Sequence, residues 1–161
     1  MASLVIAVFL LVGALLWASR GQQVDPTALR VGDCLFVPLP ANQGSDQPIG
    51  QPVDVAAAIL AGGAERAGCT ASHGHEVSAR VQVPAVPPLP SGVSVLPTVR
   101  AEAKDACDAA FAAYVGQALD ASRYETFPVV PTSFDTTADV VCLVARADGQ
   151  WMDHPARASG E

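Results

Sequence analysis

Cys69-Thr70-Ala71-Ser72-His73-Gly74-His75-Glu76-Val77-Ser78-Ala79-Arg80-Val81-Gln82-Val83 is the stretch on which the fold turns. From its middle onward Val77, Ala79, Val81 and Val83 alternate with Glu76, Ser78, Arg80 and Gln82, the period-two pattern of a half-buried strand. Ahead of the strand stand one cysteine, two of the three histidines of the chain and an acid. Those residue types are donors for zinc or copper, and a β-turn could bring Cys69 and His73 together. Against a metal site, there is no second Cys/His cluster, Cys69 has three potential disulfide partners, and His75 and Glu76 as strand neighbours point to opposite faces. A hydrolase would need Ser72 or Cys69 as nucleophile with a histidine as base, but neither a Gly-x-Ser-x-Gly elbow nor a glycine-rich phosphate loop is present. The residues therefore read as a crosslinked, hydrogen-bonded corner. His73, His75 and Glu76 form its polar or binding face, with no catalytic residue, no metal and no cofactor expected.

Working outward toward the N-terminus, Gly62-Gly63 would stop a short helix over 54–61 capped by Asp54, although the same residues also fit the end of a strand. Residues 40–52 are rich in proline, glycine and asparagine and read as loop. Leu29 to Val37 reads as a turn feeding a strand that Pro38 and Pro40 end. Toward the C-terminus, Pro84, Pro87, Pro88 and Pro90 break the strand, and Pro97 opens a helix. In that helix Ala103, Cys107, Ala110, Phe111 and Tyr114 share one face at three-to-four spacing, and Gly116 suits the residue after its last turn. Tyr124 to Pro131 is interrupted by two prolines and reads as loop or edge strand, whereas Asp139 to Ala145 is the most apolar strand and reads as central. Asp148-Gly149 predicts a hairpin turn into Gln150-Trp151-Met152. No internal repeat is present, and His154, in a patternless tail, reads as solvated.

The N-terminal run Ala2–Ser19 carries no charge and ends at Arg20. As a helix it would span about 27 Å, close to the hydrocarbon thickness of a bilayer. Trp17 would lie at the interface, and Gly13 and Ala14 offer a small-residue face to a neighbouring helix. A cleaved secretory signal would carry a basic start and paired small residues before the cut; here the start has no Lys or Arg, and pairs such as Leu16/Ala18 or Trp17/Ser19 make poor cleavage sites. No cysteine follows directly, so lipoprotein processing is unsupported too, and the reading is an uncleaved single-pass anchor.

Cys34, Cys69, Cys107 and Cys142 are an even set behind a membrane-targeting segment, which predicts two disulfides on an oxidising side of the membrane. Three pairings are possible and sequence alone does not choose among them; the equal 35-residue separations of Cys34 from Cys69 and of Cys107 from Cys142 are compatible with the sequential one. Arg20 and Arg30, both after the span, would by the positive-inside rule draw the domain inward; the cysteines outweigh them. The formal net charge is −7, with 9 basic against 16 acidic residues and no basic cluster, so neither a nucleic-acid groove nor a polybasic lipid patch is available. Half of the residues are hydrophobic, part of which is the N-terminal run rather than a richer core.

In order along the chain, Val31-Gly-Asp-Cys-Leu35, Cys69-x-x-x-His73-x-x-Glu76-Val77, Cys107-x-x-x-Phe111-x-x-Tyr114-Val115-Gly116, Pro131-Thr132 and Val141-Cys142-Leu143 together resemble the septum-formation domain family of actinobacteria. The resemblance covers about residues 30–152 and implies a small extracytoplasmic domain behind a membrane anchor, in a division or envelope role without enzyme activity. Residues 56–68 look like an insertion. Phe134 and Thr137-Ala138-Asp139 stand where the family pattern has Trp and then Gly-Asp-Arg.

The expected architecture is α+β: a small, mainly antiparallel sheet with one main packed helix and two disulfides, preceded by a single N-terminal transmembrane helix. The expected division is an anchor over 1–20, a linker over 21–29, an extracytoplasmic domain over 30–152 and a flexible tail over 153–161. The expected location is the cell membrane with the C-terminal domain outside. The expected partners are the lipid bilayer through one helix and a membrane protein complex through anchor and domain. The expected function is a non-catalytic binding or assembly module. The rivals are an accessory subunit of another membrane complex, such as a respiratory supercomplex, and a metal-binding or hydrolytic protein using the 69–76 corner.

Overall fold

Five antiparallel strands build one sheet in the order β2-β1-β3-β5-β4, with β1 at Cys34–Phe36, β2 at Glu65–Ala67, β3 at His75–Pro84, β4 at Tyr124–Val129 and β5 at Thr137–Arg146. The computed structural model describes residues 24–37, 55–84, 97–131 and 137–161. Among the described residues two α-helices accompany the sheet, α1 at Val55–Leu60 and α2 at Pro97–Val115. The α+β expectation with one main helix and two disulfides therefore holds. The expected anchor over 1–20, with Gly13, Ala14 and Trp17, lies outside the described residues, as do the loop over 40–52 and the Asp54 cap. Among the described residues no helix is long and apolar enough to cross a membrane.

The apolar pattern of β5 explains its place. It pairs with β3 on one side and β4 on the other, and both of its faces are covered. Val141 and Leu143 join Leu29, Leu35, Ile59 and Val77 on the face shared with α1 and the N-terminal segment. Val140 and Cys142 face α2 among Val99, Ala103 and Cys107, and Val144 extends that face beside Phe111 and Tyr114. A strand buried on both faces needs no polar alternation. The prolines of 124–131 do not stop β4 from forming, because it is an edge strand with only β5 beside it.

β3 departs from the uninterrupted alternation read in its sequence. Val77 lies opposite Leu143 and Ala79 opposite Cys142, so Ser78 is an extra residue and the register shifts there. A bulge of one residue exchanges the two faces of a strand. Val77 accordingly packs on the α1 face, whereas Ala79, Val81 and Val83 pack on the α2 face. The Ser78 hydroxyl donates to the Cys142 carbonyl at 3.2 Å, which satisfies a polar group buried at the irregularity.

Two further expectations are corrected. After the turn at Gly149 (φ 71°) the chain does not form a hairpin on β5, whose two edges are already taken by β3 and β4. It instead crosses to the corner, where Met152 and His73 exchange both backbone hydrogen bonds at 2.9 Å as an isolated bridge. The segment 153–161, expected as a flexible tail, is tied back to the domain at Ala156, Ala158 and Gly160 although most of its residues are exposed. Ala156 is fully buried beside Tyr114 and Val115, and the N–H groups of Ala158 and Gly160 donate to the carbonyls of Tyr114 and Val115 at 2.8 and 3.0 Å. These are carbonyls that the last turn of a helix leaves without an internal partner. With Gly116 in the left-handed region (φ 87°), the tail completes the C-terminal cap of α2. The 54–61 ambiguity resolves to helix, and the segment read as an insertion supplies α1 and β2.

Candidate functional site

The corner is assembled by β1, the loop 68–74, the start of β3, the end of α2 and the C-terminal segment. The bridge Cys34–Cys69 ties β1 to the loop with a Cα separation of 5.3 Å. Cys107–Cys142 pins α2 to β5 at 5.4 Å. Both are the sequential pairing, and no free cysteine remains. Two disulfides point to an oxidising, extracytoplasmic environment.

Glu76 follows from the bulge. In a regular strand with Ala79, Val81 and Val83 on the α2 face it would lie on the α1 face; the extra residue turns it to the α2 face, where it is 1% exposed. Burying a carboxyl group without partners is costly. Here the Tyr114 hydroxyl donates to Oε1, and the Ala156 backbone N–H donates to Oε2 at 2.6 Å. Tyr114 reaches it from the last turn of α2, and Ala156 from the returning tail. Burial, the bond to Glu76 and the adjacent carboxylate push the Tyr114 phenol well above its ordinary range, so it stays a proton donor.

His73 is fully buried. Its Nδ1 lies 2.8 Å from the Ala71 carbonyl, which can only accept, so Nδ1 carries the hydrogen. Its Nε2 is buried with no hydrogen-bond partner. His75 points to the other face, where its ring meets Phe127 edge-on at a centroid distance of 5.7 Å. Its Nδ1 also lacks a partner, and burial, with His73 adding in the same direction, lowers its pKa to about 4. The expected opposition of His75 and Glu76 across the strand is thus what the backbone delivers. His154 is half exposed, but it pairs with Asp153 and reaches Glu161 at 3.3 Å, and these contacts raise its pKa.

Donor atoms of Cys34, His73 and Glu76, one from each, lie within 4.8 Å of one another. With Cys34 held in its disulfide, that sulfur is no thiolate, and the cluster is closed to a metal ion in this state. Glu76 has both oxygens engaged, and Ser72 lies on the exposed loop.

The sequence does not announce two features of the corner. One is the pairing of Glu76 with Tyr114 and Ala156; its only signal is a tyrosine in the last turn of an apolar helix face. The other is an aromatic ledge at the surface: Trp151 stacks on Phe36 with centroids 5.4 Å apart, lies over Gly74, and leaves 49% and 37% of the two residues exposed. A Cβ at residue 74 would meet the indole at 3.3 Å, so glycine lets Trp151 lie close to the loop.

Compared with known proteins, the chain matches no family model, no curated protein and no solved structure.

Proposed function

We propose that the chain is a non-catalytic binding or assembly module, held at the cell membrane by an apolar helix over 1–20 with its disulfide-stapled domain on the extracytoplasmic side. The observation that carries this reading is how the polar groups of the corner are used. Glu76 spends both oxygens on Tyr114 and Ala156, and His73 spends Nδ1 on the loop backbone, all in buried positions. Both side chains are buried and spend these atoms on holding the chain together, so neither is presented to a substrate in solution. What the domain offers outward beside them is the Phe36–Trp151 ledge, and an exposed aromatic pair suits recognition, since tryptophan is enriched among the residues that dominate interface energies. The likeness of Val31–Leu35, Cys69–Val77, Cys107–Gly116 and Val141–Leu143 to the septum-formation domains favours a division or envelope complex as the setting.

The test is purification of the full-length chain in mild detergent with identification of what remains bound, in parallel for Trp151→Ala. Division or envelope proteins are expected to stay with the parent chain and to fall several-fold in the variant. Stable recovery of respiratory oxidase subunits instead would sink the division setting and favour the accessory-subunit rival.

A further inference from the structure

We propose that Cys34, Cys69, His73 and Glu76 form a zinc site that becomes available when the Cys34–Cys69 bridge is reduced. This goes beyond the binding-module reading and does not depend on it.

Three observations meet at this place. First, one donor atom each from Cys34, His73 and Glu76 already lie within 4.8 Å of one another, and all three residues are buried. A tetrahedral zinc ion with bonds of about 2.0–2.3 Å spaces its donors roughly 3.3–3.8 Å apart, so closing the site asks for shifts on the order of 1 Å. Second, His73 is set as ligand imidazoles are. Its Nδ1–H is fixed on the Ala71 carbonyl at 2.8 Å, which leaves the lone pair of the neutral ring on Nε2, and that atom is buried with no partner. An orphaned acceptor in an interior carries a cost that an ion removes. Third, Glu76 keeps capacity. A carboxylate has about four acceptor positions, and Tyr114 and Ala156 use two, so an oxygen can ligate without giving up either bond.

The two bridges also differ in access. Cys107 and Cys142 are both fully buried, whereas Cys69 is partly exposed, so a reductant meets the Cys34–Cys69 bridge first. A dithiol reductant attacks the Cys69 sulfur as thiolate and forms a mixed disulfide, and Cys34 leaves as its thiol. The reductant's second thiol then releases Cys69 and closes the reductant into its own disulfide. Two electrons pass to the bridge, which becomes two thiols. Zinc then displaces one proton from each thiol. Cys69 starts outside that 4.8 Å set but bonded to Cys34, so once the bridge opens its side chain has to swing inward to become the fourth donor. Ion and bridge exclude each other, so the same corner is stapled by sulfur in the oxidised chain and by metal in the reduced one.

The experiment uses the full-length chain in mild detergent without oxygen, reduced with a phosphine that does not compete for the ion, and titrated with cobalt(II) as a coloured stand-in for zinc. One cobalt per chain is expected after reduction, with thiolate-to-metal charge-transfer absorption that zinc abolishes, and none before reduction. His73→Gln should weaken the uptake at least about tenfold. Cys69→Ala leaves Cys34 unbridged and should take up cobalt without any reductant, more weakly than the reduced parent. The proposal is overturned if the reduced parent keeps its near-ultraviolet dichroism and takes up no cobalt, or if His73→Gln binds as tightly as the parent. Loss of that dichroism on reduction overturns it as well, because His73 and Glu76 must stay in place to ligate.

Discussion

At the scale of single residues, Glu76 is where the corner is most exposed to mutation. Its carboxylate accepts from two donors brought by segments far apart in sequence. Glu76→Gln keeps the shape but turns an amide N–H2 toward one of those donors, leaving a buried clash of donors that costs about 2–3 kcal/mol. Tyr114→Phe removes one donor and leaves the carboxylate with Ala156, costing about 1–3 kcal/mol. Urea unfolding of the full-length chain measures both, and equal midpoints for Glu76→Gln and the parent would remove the structural role assigned to this residue. His75 sets a pH dependence of definite sign. Its folded pKa is about 4, below the ordinary value of 6.5, so between those values the unfolded chain binds a proton that the folded chain refuses. Stability is fully present above about pH 6.5, falls as pH drops toward 4, and stops falling on this account below 4. Denaturation midpoints across that window should decline in the parent and decline less in His75→Gln.

At the scale of elements, the terminal segment does more than its sequence advertises. It caps α2 through Ala158 and Gly160, buries Ala156, and gives Glu76 its second partner. Deleting 156–161 uncaps two carbonyls and leaves Oε2 of Glu76 unpaired, and should destabilise the domain by about 3 kcal/mol or more. A thermal melt of the truncated full-length chain that matched the parent would contradict this. The contrast with α2 itself shows what a sequence can carry. The helix was legible because Ala103, Cys107, Phe111 and Tyr114 repeat with the helical period and Gly116 marks its end. β5 was legible because it is apolar throughout, and β3 because seven residues after Glu76 alternate. The bulge at Ser78 was not, since an alternating string reads identically with and without one extra residue opposite Cys142. That single insertion decides the side on which Glu76 lies, so the corner's residues were readable while its chemistry was not. The tail and the Trp151–Phe36 stack were missed for a related reason. Each rests on contacts across the fold that follow no local period.

At the scale of the whole molecule, the two bridges both lie on the α2 side of the sheet and staple it at two places. Cys34–Cys69 fixes β1 to the loop before β3, and Cys107–Cys142 fixes α2 to β5, each across 35 residues of chain. Loop closure of that size removes conformational freedom from the unfolded chain, worth about 3–4 kcal/mol per bridge. Since a domain's net stability is about 5–15 kcal/mol, losing either bridge removes a large share of it. The bridges are unequal in kinetics. The residues of Cys107–Cys142 are fully buried between helix and sheet, while Cys69 is partly open to solvent, so alkylation under mild reduction should label Cys34 and Cys69 well before Cys107 and Cys142. Peptide mass analysis of the full-length chain, isolated under an alkylating quench, reads both the pairing and the order. Without reductant, no cysteine should be modified, because none is free. Modification of all four in that sample would mean that the bridges do not form in the cell, and the extracytoplasmic placement of the domain, which rests on them, would fall with them.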